Sequence, residues 1–275
     1  MELEIGTSKQ DITSFIPGIG MMGYGQHHNV VKEIATPLWA RTLFIQQNKK
    51  VFILVHLEQA FVTLAIKEEV LKRLQGVRPD WMITDANLVI TAQHTHSAPG
   101  GYSHYPLYNF TIPGFQTKIF ERIVSSIMDS IELAYKNKAP AIPAWGRIRI
   151  DENKEVSFNR SMTAHTLNPE AVHHREEEKH LAVDREMEGL VFTGRNGEKL
   201  AFLNWFGVHC TSISSFNQRI HHDNKGVAAD LYEKNHPGTM AFFLQASAGD
   251  VSPNFSWDKK SKLMRGKFTD QYENA

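Results

Sequence analysis

An α/β fold of mixed β-sheets flanked by α-helices is what this sequence predicts, and three observations predict it. Apolar runs of strand length recur along the chain, as at Leu38–Gln46, Val51–His56, Leu88–Thr91 and Met240–Leu244. Stretches of helical period lie between them, the strongest over Thr117–Tyr135. The two kinds alternate irregularly, without a repeated βαβ unit, which favours mixed sheets over a purely parallel one. At 275 residues the chain suits one α/β domain, and the expectation is a single domain over 1–275.

Taken in order, Ile5–Thr13 reads as a short strand and turn. Pro17–Gly25 is a loop with four glycines in nine residues, able to run its backbone close to a ligand or another segment. Leu38–Gln46 and Val51–His56 form a hairpin around the Gln47–Lys50 turn. Ile66–Leu74 has helical spacing with Lys and Glu outermost. Asn87–Thr91 is a buried strand. In the Thr117–Tyr135 helix, Ile119, Ile123, Ile127, Ile131 and Leu133 make an apolar stripe, and Pro140 and Pro143 stop it. Ala144–Ile150 is a strand. His173–His180 resembles a metal cluster in composition but reads as a solvated charge run. Met187–Phe192 and Lys199–Phe206 flank a Gly194–Gly197 turn as a second hairpin. Asn224–Asn235 opens a helix, Met240–Leu244 is a strand, and the charged tail from Asp258 is expected to run into a helix after Lys262.

Composition excludes several classes. Lys plus Arg equals Asp plus Glu at 30 each, so the basic excess of a nucleic-acid binder is missing. One cysteine, Cys210, rules out a disulfide within the chain. No apolar run reaches the length of a membrane span. The first residues lack the basic start and apolar stretch of a signal peptide, so a cytoplasmic location is expected, or a secreted or periplasmic one had a leader been removed. Histidine is abundant, at 14.

The chemistry concentrates at strand ends. His94 and His96 follow the Asn87–Thr91 strand one residue apart. If the backbone there is extended, both imidazoles face one place, at the kind of strand end where α/β proteins build sites. Imidazole is the commonest metal ligand and an acid–base group near neutral pH. Leu203–His209 is another apolar run ending in histidine, and Met240–Gln245 runs into a turn-rich segment carrying Asp250 and Ser252. If these strands neighbour one another in a sheet, their polar groups converge. Catalytic zinc takes three protein ligands and leaves one position to water. Cys210 would point away from its neighbour His209. Ser252 is a nucleophile only with a base in reach; otherwise it and Asp250 serve to tie down the turn. Arg160 suits an oxyanion or a substrate hydroxyl, or an ordinary surface charge.

Seven ordered blocks then resemble the neutral/alkaline non-lysosomal ceramidase family. They are Met21–Tyr24, Leu88–Gly101, Leu107–Phe115, Asn159–Ser161 with Asn168-Pro169, Leu203–Ser212, Asp223–Gly226 and Gln245–Asn254. The resemblance implies the fold of that family's N-terminal domain and a Zn2+-dependent amidase splitting ceramide, or a similar N-acyl lipid, into a sphingoid base and a fatty acid. It implies His94 and His209 as zinc ligands, with His96, Arg160, Asp250 and Ser252 in the catalytic machinery. Water activated by zinc is preferred to Ser252 as the attacking group. A lipid substrate and peripheral contact with membrane lipid follow as the expected partners. The family's remaining ligands, a Glu and a Tyr, come after the last block, so the domain is expected to be incomplete at its C-terminal end, or to use His222, Asp223 or His96 in their place. Ala92-Gln93, Ala98-Pro99, His165 and Cys210 depart from the family pattern beside the site, which bears on substrate choice. The rival expectations are a catalytically incomplete lipid-binding module and a metallohydrolase of another amide or ester.

Overall fold

Apolar residues alternating along the longer strands build the first sheet. The computed structural model describes residues 2–253, 256–260, 263–265 and 275. Its five-stranded sheet runs in the order Leu88–Ala92, Lys50–Leu57, Trp39–Gln47, Leu3–Asp11 and Ala139–Pro140. Only the Lys50–Leu57/Leu88–Ala92 pair is parallel. A second sheet of four strands runs Met240–Gln245, Lys199–Phe206, Glu186–Thr193 and Ile142–Arg149, and again only its first pair is parallel.

The period of two sorts each strand between two cores. Phe44, Ile53, Val55, Leu57 and Leu88 face the helices Leu64–Val77 and Thr117–Lys136, whose Ile66, Val70, Ile119, Ile123, Ile127 and Ile131 are fully buried. Ile5, Leu43 and Leu54 point the other way and meet Phe192, Leu203, Phe242 and Leu244 of the second sheet. The Asp223–Asn235 helix covers the second sheet, with Tyr232 stacked on Phe202. The Thr117–Lys136 helix lies so close to the first strand that a Cβ on Gly6 would fall 1.8 Å from the Ala134 carbonyl oxygen, so only glycine fits there.

Each parallel pair needs a crossover. The Leu64–Val77 helix supplies one and the Asp223–Asn235 helix the other, so each sheet contains one βαβ unit. Parallel strands all end on the same side, and both units end where the candidate site lies.

Some expectations change. The second strand of the tail hairpin, Leu263–Arg265, pairs with Ser256–Asp258 where a helix was expected; the rest of that expected helix lies outside the described residues. The first strand is longer than expected, Leu3–Asp11, because it pairs along its whole length with Trp39–Gln47. Ile142–Arg149 forms an outer edge of the second sheet, exposed throughout, with Trp145 at 62 %. Among the described residues no helix is long and apolar enough to cross a membrane.

Candidate functional site

The strand Leu88–Ala92 ends as predicted, and the chain then turns sharply. His94 has φ +82°, left-handed rather than extended. The convergence of His94 and His96 therefore comes from a strained turn, not from strand alternation. Such strain persists only where surrounding bonds over-determine the backbone. Here the His94 N–H donates to the Gln59 carbonyl (3.0 Å), and Nδ1 bonds the Ala60 carbonyl (2.6 Å).

His209 arrives from the other sheet. It follows the Lys199–Phe206 strand, its N–H donates to the Val251 carbonyl (2.9 Å), and its Nδ1 bonds the Ala248 carbonyl (2.9 Å). The condition that all three strands neighbour one another in a single sheet is not met, yet their polar groups converge. Leu88–Ala92 belongs to the first sheet, and the two histidine-bearing strands meet only because the sheets pack face to face.

Ring centroids are 4.7 Å apart for His94 and His96, 4.5 Å for His94 and His209, and 5.1 Å for His96 and His209. One nitrogen from each ring falls within a 4.8 Å group, and the Nε2 atoms of His94 and His96 are 3.2 Å apart. Ligand nitrogens of tetrahedral zinc, each about 2.0–2.1 Å from the ion, lie roughly 3.3 Å from one another. With both Nδ1 atoms committed to carbonyls, His94 and His209 each turn Nε2 inward, the arrangement in which a backbone acceptor fixes the tautomer of a metal-ligating imidazole. His96 is buried and its Nδ1 has no hydrogen-bond partner. These donors fit a zinc ion.

The electrostatics of His96 and His209 favour their neutral forms. Burial pushes the His96 pKa well below its ordinary value, and His94, His209 and the Arg160 charge add to the shift. Burial likewise lowers His209, with His94 and Arg160 acting in the same sense against the Ala248 hydrogen bond. Neutral imidazoles are the metal-binding form.

Arg160 and Asp250 enter through a two-strand contact. Phe158-Asn159 pairs with Val251-Ser252, and Ser252 is buried in that pair. The Arg160 N–H donates to the Asp250 carbonyl (2.8 Å) and its Nη2 to the Gly249 carbonyl (2.6 Å). The Asp250 carboxylate accepts from Asn159 Nδ2 (2.8 Å). Asp250 therefore ties down the segment that holds His209 and Arg160. A cleft of about 580 Å³ borders the same segment, with His165, Leu181 and Val251 in its lining.

Other candidates lie elsewhere. Cys210 is buried with Sγ donating to the Gln93 carbonyl (3.0 Å). Asp223 spends its carboxylate on the N–H groups of Ser212 and Ile213 (both 3.2 Å), and His222 sits 3.5 Å from Glu58, so neither joins the histidines. The His173–His180 run lies at or near the surface and stays apart from the cluster. Tyr24 was not singled out: its ring meets His96 edge-on at 4.6 Å, and a Cβ on Gly23 would come within 2.5 Å of the same imidazole. The glycine-rich loop was the available signal.

Comparison with known proteins places the chain in a family and a fold. Residues 3–269 match the family described as neutral/alkaline non-lysosomal ceramidase, N-terminal. A neutral ceramidase of Pseudomonas aeruginosa is 34 % identical over 275 residues, 98 % of this chain and 39 % of the relative. Neutral ceramidase B of Dictyostelium discoideum is 35 % identical over 91 % of this chain and 35 % of its own length. A crystal structure of the P. aeruginosa neutral ceramidase superposes with a TM-score of 0.88 at 33 % identity, covering all of this chain and 42 % of that one. The chain thus spans about two fifths of the length of these relatives.

Proposed function

Because the chain belongs to the neutral/alkaline non-lysosomal ceramidase family, we propose that it is the histidine-bearing part of a zinc-dependent amidase acting on ceramide or a closely related N-acyl lipid. The observation that carries the zinc reading is the pair of inward Nε2 atoms on His94 and His209, each with its Nδ1 tied to a backbone carbonyl. Zinc held there would polarise the amide carbonyl and bring the pKa of a water down to roughly 7.

The chain's own groups supply the rest. His96, buried and neutral beside the pair, takes the proton of the attacking water. The new C–O bond places charge on the former carbonyl oxygen, and the Arg160 guanidinium is the cation available to it. When the C–N bond breaks, the leaving amine takes a proton from His96, so acid and amine are released without net change in the protein. Water suits this arrangement better than Ser252, which is buried within a strand pair. Leu107, Phe110 and Phe216 are exposed. Phe110 touches His27 and Phe216 stacks on His28, in the loop that brings Tyr24 to His96. We read them as the lipid-facing side.

Elemental analysis, combined with hydrolysis of a fluorescent ceramide beside a panel of N-acyl amino acids, tests this reading. One zinc per chain is expected, and His94→Ala should lose it together with at least about a thousandfold in kcat/KM, roughly 4 kcal/mol of transition-state stabilisation. Full activity of His94→Ala would sink the mechanism. Zinc binding without ceramide turnover would move the substrate to another amide.

A further inference from the structure

The two histidine-bearing loops leave different sheets, so something must set their separation. The Gln245 carboxamide spans the gap. Gln245 ends the Met240–Gln245 strand. Its Oε1 accepts the Val208 N–H (3.1 Å), and its Nε2 donates to the Val208 carbonyl (2.8 Å) and to the Gln93 carbonyl (3.0 Å). Val208 immediately precedes His209 and Gln93 immediately precedes His94. One side chain therefore grips the residue before each imidazole. Both of its N–H groups donate and its oxygen accepts.

The assignment of oxygen and nitrogen follows from the partners: a backbone N–H needs an acceptor, and two carbonyls need donors. Only a primary amide of this length meets all three demands. A carboxylate would set an oxygen against two carbonyl oxygens, and a hydrocarbon would strip the Val208 N–H and carbonyl of their partner and the Gln93 carbonyl of its amide donor near the sheet seam. The Gln93 carbonyl also accepts from Cys210 Sγ (3.0 Å), so the residue after His209 is tied to the same atom. Gln93 is held at its other end too: its Nε2 donates to the His222 carbonyl, and its N–H to Leu57 (3.1 Å). A braced Gln93 has little freedom to shift His94 relative to His209.

We propose that Gln245 is a positioning residue that sets the spacing of the His94 and His209 loops and so pre-organises the metal site. The consequence for zinc rests on the metal reading above; the brace itself does not.

The test compares Gln245→Glu, nearly isosteric, and Gln245→Leu with Ile127→Ala, a change in the helix-covered core that lowers stability without touching either loop. Zinc affinity is measured by competition with a chromogenic chelator. Hydrogen exchange at the His94 and His209 amides is followed in the zinc-free chain. Both Gln245 variants are expected to bind zinc about 10–100-fold more weakly than wild type, while Ile127→Ala binds as wild type. Exchange at the two amides should accelerate more in the Gln245 variants than loss of global stability explains. Equal zinc affinity in Gln245→Glu, Gln245→Leu and Ile127→Ala overturns the proposal. If wild type binds no zinc, the metal reading falls instead, and the exchange data decide the brace: selective acceleration upholds it and parallel behaviour overturns it.

Discussion

The helix-covered face of the first sheet and the end of the sheets that carries the histidines are built on opposite plans. The first is apolar and repetitive: Ile119, Ile123, Ile127 and Ile131 recur every four residues and pack on Phe44, Ile53 and Val55. The second is polar and irregular. Gln93 and Gln245 reach across long stretches of sequence to carbonyls in loops, and Asn224 and Asp223 tie down the nearer loop around His209 and Ser212. Beside them, Arg41 and Glu58 form a fully buried pair (3.1 Å). Arg41 also reaches Asp230 (3.2 Å) and Glu233, and Glu58 accepts the Trp39 N–H (3.1 Å). Burial opposes both charges, but Glu58 and Glu233 hold the Arg41 guanidinium above its ordinary range, and His222 and Arg41 hold Glu58 below its own. Apolar contacts tolerate small adjustments, whereas hydrogen-bonded loops hold atoms at set distances. A site that must keep two imidazoles a few ångströms apart needs the second plan.

This contrast can be broken at four points. The largest loss of stability is expected from Glu58→Gln, which leaves Arg41 undercompensated in the interior and should cost about 3–5 kcal/mol in urea unfolding. Ile127→Ala should cost about 2–5 kcal/mol, the range for a buried large-to-small change, with zinc affinity unmoved. A shift in zinc affinity would show that the two regions are coupled.

His56 gives a smaller, pH-dependent effect. It is fully buried, with Nδ1 on Thr91 Oγ1 (2.9 Å), and burial lowers its pKa from 6.5 to about 3. Between those values the unfolded chain binds the proton and the folded chain does not. Stability is therefore full above about pH 6.5 and is lost as pH falls towards 3. His56→Gln should flatten the stability–pH slope in that window by up to about 1.4 kcal/mol per pH unit. An unchanged slope would place the acid sensitivity elsewhere. Least of all is expected from Glu178→Gln. Its pair with Arg175 (2.8 Å) is solvent-exposed although Arg175 pulls the carboxyl down to about 2. Water screens such a pair, so the thermal midpoint should not move measurably.

Legibility follows the same division. The strands at Trp39–Gln47, Lys50–Leu57 and Leu88–Ala92, the Thr117–Lys136 helix and the hairpin over Glu186–Phe206 were readable from period and turn residues, because these are local properties. His94 and His209 were readable as strand-end histidines within recognisable blocks. The left-handed turn at His94 was not, since it is imposed by bonds to Gln59 and Ala60, more than thirty residues earlier in the chain. Gln245 read as the last residue of an apolar strand, and nothing local marks it as a bridge. Arg41 and Glu58 carry no signal in the sequence, because pairing across a seam leaves no periodic trace.

Sequence alone established most of the elements and their order, the two histidines at strand ends and, through its seven ordered blocks, the resemblance to the family. Tertiary structure decided that two sheets rather than one deliver those histidines, that Asp223 and His222 turn away from them, and that an amide from a third strand holds them in register. The physical reason is range: hydrophobic period acts over a few residues, while the distance between two imidazoles is set by hydrogen bonds closing loops of more than a hundred.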